Sequence, residues 1–168
     1  MALFVLGDPH LSLGASKPMD IFPGWNDYVE RLEKNWRKLI KPEDTIVLAG
    51  DISWAMRLSD TRRDFEFLQS LPGQKIIMKG NHDYWWTSLK KMQQATESKF
   101  MFLQNNFFPC GDVAVCGSRG WILPSSEAFT DDDRHIYQRE GIRLENSLAA
   151  AKNAGFNKFV AALHSPPL

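Results

Sequence analysis

Gln74-Lys75-Ile76-Ile77-Met78-Lys79-Gly80-Asn81-His82-Asp83 is an apolar run that halts at a glycine and passes at once into amide, imidazole and carboxylate side chains. Short apolar runs bounded by turn residues read as buried strands, and strands buried on both faces belong to parallel sheets. In an open α/β sheet the residues just past a strand's carboxyl end face the ligand crevice, which places Asn81 and His82 in a candidate site. The pattern recurs along the chain. Ala2 to Leu6 ends at Gly7-Asp8-Pro9-His10, Thr45 to Ala49 ends at Gly50-Asp51, and Phe159 to Leu163 ends at His164-Ser165-Pro166-Pro167.

Helical patterns separate the first strands. Trp25, Tyr28, Val29, Leu32, Trp36 and Leu39 recur at helical spacing, with Glu30, Arg31, Glu33, Lys34 and Lys38 on the opposite face and Pro42 as the stop. A second helix is expected over Ser59 to Leu71, closed by Pro72-Gly73, and a third over Trp86 to Thr96. Alternating strands and helices predict an α/β fold with parallel strands and right-handed crossovers. From Phe100 to Gly117 short apolar runs broken by Asn105, Pro109, Gly111 and Asp112 predict antiparallel strands or a hairpin, with Cys110 and Cys116 on or beside it. Thr130 to Asp133 is shaped as an N-terminal cap for a helix ending near Gly155, and Phe159 to Leu163 predicts a further buried strand.

With 168 residues, 43% of them hydrophobic, the chain suits one domain with a full core. Twenty basic and twenty acidic residues balance without like-charge blocks, so no electrostatic footprint for nucleic acid or an anionic membrane is present. No apolar run approaches the roughly 20 residues that span a bilayer. Met1-Ala2-Leu3-Phe4-Val5-Leu6 lacks a basic n-region, and two cysteines make no disulfide framework, so a cytoplasmic location is expected.

Four strand ends thus carry Asp8 with His10, Asp51, Asn81 with His82, and His164, leaving only His135 among the histidines elsewhere. The separations between Asp8, Asp51 and Asn81 leave room for complete crossovers, so these side chains can converge. Mixed carboxylate, imidazole and amide donors without thiolate suit divalent ions such as Mn²⁺, Fe²⁺ or Zn²⁺. Two ions fit better than one, Asp8 and His10 holding the first, Asn81 and His164 the second, and Asp51 bridging them.

In order and in residue type, Asp8-Pro9-His10, Gly50-Asp51, Gly80-Asn81-His82-Asp83 and His164-Ser165-Pro166-Pro167 resemble the successive blocks of the calcineurin-like metallophosphoesterases. The resemblance implies two mixed β-sheets sandwiched between helices in four layers, with a dinuclear centre at the strand ends. It implies Asp8, His10, Asp51, Asn81 and His164 as ligands and a metal-bridging hydroxide that attacks a phosphate mono- or diester. His82 would stabilise the phosphoryl group or protonate the leaving group, and Asn81 would also reach the substrate.

Two departures stand out. Relatives often carry a second acid three residues after the bridging aspartate, where it orients the motif histidine; here that residue is Trp54, and Asp83 is the nearest substitute, with a helix-capping aspartate as its other reading. A later Gly-His-x-His block is also absent, which leads to the expectation of a domain over residues 1–168 lacking its last strands, weakly active and able to self-associate through an open sheet edge. Arg119 is a candidate phosphate-binding residue through its planar fork. Trp54, Trp85, Trp86 and Trp121 fall near the active edge, where core packing is the first expectation and an apolar wall for substrate the second. The alternative to an enzyme is a non-catalytic interaction scaffold on the same fold, and His82 separates the two, because a scaffold has no use for a histidine beside Asn81.

Overall fold

The computed structural model describes residues 1–166. Strand β1 (Leu3–Leu6) leads through a long loop to helix α1 (Tyr28–Leu39), then β2 (Thr45–Leu48), a short 3-10 turn (Leu58–Thr61), α2 (Arg62–Ser70), β3 (Gln74–Ile77), α3 (Leu89–Ala95) and β4 (Met101–Phe102). There follow β5 (Phe108–Cys110), β6 (Val113–Ser118), the long α4 (Asp131–Asn153) and β7 (Phe159–Leu163). Strands β1 to β4 form one wholly parallel sheet in that order, and β5, β6 and β7 form a second sheet, antiparallel between β5 and β6 and parallel between β6 and β7.

Strand alternation builds the layers, because successive side chains leave a sheet on opposite faces. Ile46, Leu48 and Ile77 pack with Trp36, Phe65, Leu68 and Met92 beneath helices α1 to α3. Their neighbours Val47, Ala49, Ile76 and Met78 pack with Leu103, Val115 and Ala162 between the two sheets. Ala114 and Cys116 turn the other way, against Ala151 and Leu148 of α4. The order is therefore helices, sheet, sheet, helix. A fully buried Leu or Ile is worth ~1.5–3 kcal/mol, so three separate apolar layers hold the strand ends rigidly in place.

Several boundaries differ from the periodicity. Helix α1 begins at Tyr28, not Trp25, because Asp27 sits in the left-handed region at φ 51° and breaks the run. Helix α3 begins at Leu89 behind Ser88, whose side chain accepts from Lys91 N; the residues before it follow side-chain bonds instead, as Trp86 Nε1 gives its proton to Gln104. The expectation of antiparallel strands for all of Phe100 to Gly117 is corrected. The α3 crossover returns β4 parallel to β3, and only β5 and β6 form the hairpin. Strand β7 is an edge strand with Phe159 and Ala161 exposed, rather than buried on both faces. Cys110 and Cys116 lie on β5 and β6 as free thiols. Among the described residues no helix is long and apolar enough to cross a membrane.

Lys75 is a local cost of this packing. It lies on β3 with 6% exposure, its Nζ donates to the Leu71 carbonyl, and burial lowers its pKa from 10.5 to about 8. Between those values the unfolded chain holds a proton that the folded chain has released, so stability rises with pH across the window. The corresponding deficit below pH 8 is about 3 kcal/mol at most. Lys75→Met is expected to stabilise the protein at pH 7 by about 1–3 kcal/mol, with the advantage shrinking towards pH 10. Urea unfolding at both pH values checks this; a variant no more stable than the parent at pH 7 contradicts it.

Candidate metal centre

The loops after β1, β2 and β3 bring the first three blocks together, and the loop after β7 delivers the fourth from the other sheet. Backbone bonds hold them in register: Asp8 N donates to Gly50 O at 3.1 Å, His10 N to Asp51 O at 3.0 Å, and Leu11 N to Ile52 O at 2.9 Å. Asp8, His10 and Asp51 all adopt left-handed backbone, with φ of 55°, 45° and 51°. Non-glycine residues held there cost of order 1–3 kcal/mol each and cluster at functional sites. Gly50 and Gly80 permit the close approach of two loops. A Cβ on Gly80 would stand 2.1 Å from Asp51 Oδ1, and one on Gly50 2.6 Å from His164 Nδ1.

Asp51 is the centre, with its side chain 3% exposed. Its Oδ1 accepts from His82 N at 2.8 Å and lies 3.6 Å from His164 Nε2. Its Oδ2 accepts from His82 Nδ1 at 2.7 Å and lies 3.9 Å from His10 Nε2, which is 3.5 Å from Asp8 Oδ1. On the other side Asn81 Oδ1 is 2.7 Å from His164 Nε2. Ligand atoms of Asp8, Asp51 and His164 all fall within 4.8 Å of one another.

These donors suit divalent cations. The Nδ1 of His164 lies 2.9 Å from the Ala49 carbonyl, which can only accept, so Nδ1 carries a proton and Nε2 is the ring atom that faces Asn81 Oδ1. Free of its proton, Nε2 can share a cation with Asn81 Oδ1. A carbonyl behind a histidine is also the arrangement that orients imidazole ligands in metal sites. Burial lowers the pKa of His10, against the opposing pull of Asp51 and Asp8, which favours the neutral ligand form. Asp8, with a side chain 57% exposed, leaves the centre open to solvent on one side.

Asp83 does something other than what its position suggests. It is fully buried, not an exposed cap. Its Oδ2 accepts from Gly80 N at 2.7 Å; its Oδ1 accepts from Ile52 N at 2.8 Å, Ser53 N at 3.3 Å and Trp85 Nε1 at 2.9 Å. Both oxygens are spent tying the loop after β2 to the loop after β3, so the assignment of Asp83 as the group that orients His82 is corrected: Asp51 itself holds the His82 ring. Desolvation pushes the Asp83 carboxyl upward, against the backbone donors that hold it down.

Trp54 fills the place of the missing acid differently. It stacks on His10 with ring centroids 4.9 Å apart and planes 15° from parallel, and Lys17 Nζ lies 3.3 Å from its ring centroid. The ring thus fixes His10 by contact rather than by charge. Trp85 is core, as expected, while Trp54, Trp86 and Trp121 are half-buried. Arg119 stands outside this set of contacts: its guanidinium lies over Trp121 at 4.2 Å and 3.6 Å from Glu140. His135 is exposed on α4. A cavity of about 560 Å³ is lined by the 3-10 turn, α2 and the end of α3 and holds none of the donor residues.

The family model of the calcineurin-like phosphoesterases matches residues 1–168. No curated protein sequence matches the chain. Among solved structures, the phosphopantetheinyl hydrolase of Mycobacterium tuberculosis superposes with a TM-score of 0.56 at 14% identity, covering 98% of this chain and 68% of that one. Protein AQ665 of Aquifex aeolicus gives a TM-score of 0.48 at 18% identity, covering 97% of this chain and 90% of that one. The two-sheet sandwich, the ordered donor blocks and the match along the whole sequence carry one conclusion, that this chain belongs to the calcineurin-like phosphoesterase family.

Proposed function

We propose that the protein is a metal-dependent phosphoesterase that hydrolyses a phosphate mono- or diester at a dinuclear centre. The observation that carries this reading is the convergence of Asp8, His10, Asp51, Asn81 and His164 on one open strand edge, with buried Asp51 between the two donor groups. Asp8, His10 and Asp51 would hold one ion, and Asp51, Asn81 and His164 the other. Bound there, a pair of divalent ions supplies Lewis acidity toward the phosphoryl oxygens and a water acidified to near neutral pH. The family to which the chain belongs accords with this chemistry, as does the name of the hydrolase that shares its fold.

The chain's own residues do the rest. His82 has a side chain 39% exposed, and its Nδ1–H is given to Asp51 at 2.7 Å. Its Nε2, which lies 3.3 Å from Asn81 Nδ2, is the ring nitrogen not held by Asp51 and would meet a substrate oxygen and exchange a proton with it. Trp54 and the Ala49 carbonyl keep His10 and His164 from turning. An interaction scaffold has no use for a half-exposed histidine poised over the donor set.

Stripped of metal and reloaded with Mn²⁺, the protein is expected to turn over aryl phosphate mono- or diesters only in the loaded form. His82→Ala is expected to keep its metal stoichiometry and lose about 10²-fold or more in turnover. Turnover that ignores the metal, or a His82→Ala variant as active as the parent, overturns the reading.

A further inference from the structure

A second charged cleft lies where the ends of β3 and β6 meet α4. Lys79, Arg119 and Arg143 line it with Glu140, Ser118 and Gln104. Glu140 is the one carboxylate among them, 2% exposed, and it is already spoken for. Its Oε1 accepts from Arg143 Nη1 at 2.8 Å and stands 3.6 Å from both Arg119 Nη2 and Arg139 Nε, while its Oε2 is 3.4 Å from Ser118 Oγ. Three lining cations against one carboxylate leave the cleft with excess positive charge.

Arg119 adds an independent observation. Its side chain is only 9% exposed, and its Nε–H is the one buried side-chain polar atom among the described residues that has no hydrogen-bond partner. A buried guanidinium N–H left unpaired costs free energy, and charged donors cost more than neutral ones. The guanidinium cannot swing away, being held by Trp121 on its face and Glu140 at its end. The cavity between these groups is about 10 Å³, room for one water-sized atom.

We propose that this cleft is an anion site that takes one compact negative atom, either a halide ion or a single oxygen of a phosphate or carboxylate group, against Arg119, Lys79 and Arg143. It is distinct from the metal centre but shares its edge, since Lys79 precedes Gly80-Asn81 and Ser165 N, next to His164, donates to Arg119 O at 2.9 Å. The inference stands on the cationic cleft alone and does not depend on the phosphoesterase reading.

The test uses the metal-free protein in EDTA at about pH 8, where histidines of ordinary pKa carry little charge. Its melting temperature is followed while bromide or inorganic phosphate is added, with the parent, Lys79→Met, Arg143→Gln and Asp51→Asn in matched salt. A saturable rise is expected in the parent and in Asp51→Asn, and a half-saturation about tenfold weaker in Lys79→Met and Arg143→Gln. A rise with both anions identifies a site for any compact anion, and one with phosphate alone a site for an oxyanion. Crystals grown with bromide or phosphate should show the ion, or one phosphate oxygen, against Arg119 Nε. No saturable rise, an equal rise in all four proteins, or loss of the rise in Asp51→Asn overturns the proposal, as does a water alone against Arg119 Nε.

Discussion

Asp51→Asn is expected to weaken divalent metal binding by about 10²-fold or more and to lower turnover at least as far. The carboxylate lies close to donors from both halves of the cluster, His164 on one oxygen and His10 on the other. Loss of an outer partner of a metal ligand already costs 10–100-fold in affinity or activity, and a shared ligand stands one step closer to both ions. The amide also presents an N–H where Asp51 Oδ2 now receives His82 Nδ1–H at 2.7 Å, setting donor against donor or forcing the ring to turn. Calorimetric titration of the metal-free variant with Mn²⁺ or Zn²⁺ checks the binding half independently of turnover. An unchanged isotherm removes Asp51 from the ligand set.

Asp83→Ala is expected to be the most destabilising single change at the site, by about 4 kcal/mol, although Asp83 touches no ligand side chain. The substitution strands the N–H groups of Gly80, Ile52 and Ser53 and the indole N–H of Trp85 in a place without bulk solvent. Each buried donor left alone costs about 1–3 kcal/mol, partly recovered where water enters the space vacated by the side chain. Asp83→Asn keeps one acceptor oxygen and should fall between parent and alanine variant. Urea unfolding with an unchanged m-value measures the loss. A residue that merely oriented His82 would behave in the opposite way, with near-parental stability and collapsed turnover.

The two substitutions separate roles that lie side by side in one motif. Asn81 and His82 face outward to the donor cluster, while Asp83 faces inward to the backbone of the neighbouring loop. Sequence spacing places all three just past a strand and says nothing of which way each turns. The sharp bend at Gly80 makes that choice, because the glycine packs so closely on Asp51 that no side chain fits between them. Trp54 is a similar case: its offset from Asp51 marks it as a departure from the family pattern, but stacking on His10 depends on the long loop before α1 bringing Lys17 and Met19 to its other contacts.

By itself the sequence determined the strand ends, the parallel order of β1 to β3 and the donor types at each block, because apolar runs closed by glycine leave little choice of local structure. It also contained the family resemblance, since ordered ligand blocks are a linear property. The tertiary structure alone decided that His164 arrives from a second sheet, that Met101–Phe102 extends the first sheet in parallel, that Asp83 ties loops together instead of serving His82, and that Arg119 is enclosed with Lys79, Arg143 and Glu140. The reason is common to all four. Each depends on contacts between residues distant in sequence, so only the packing of the folded chain selects among the alternatives that the local pattern leaves open.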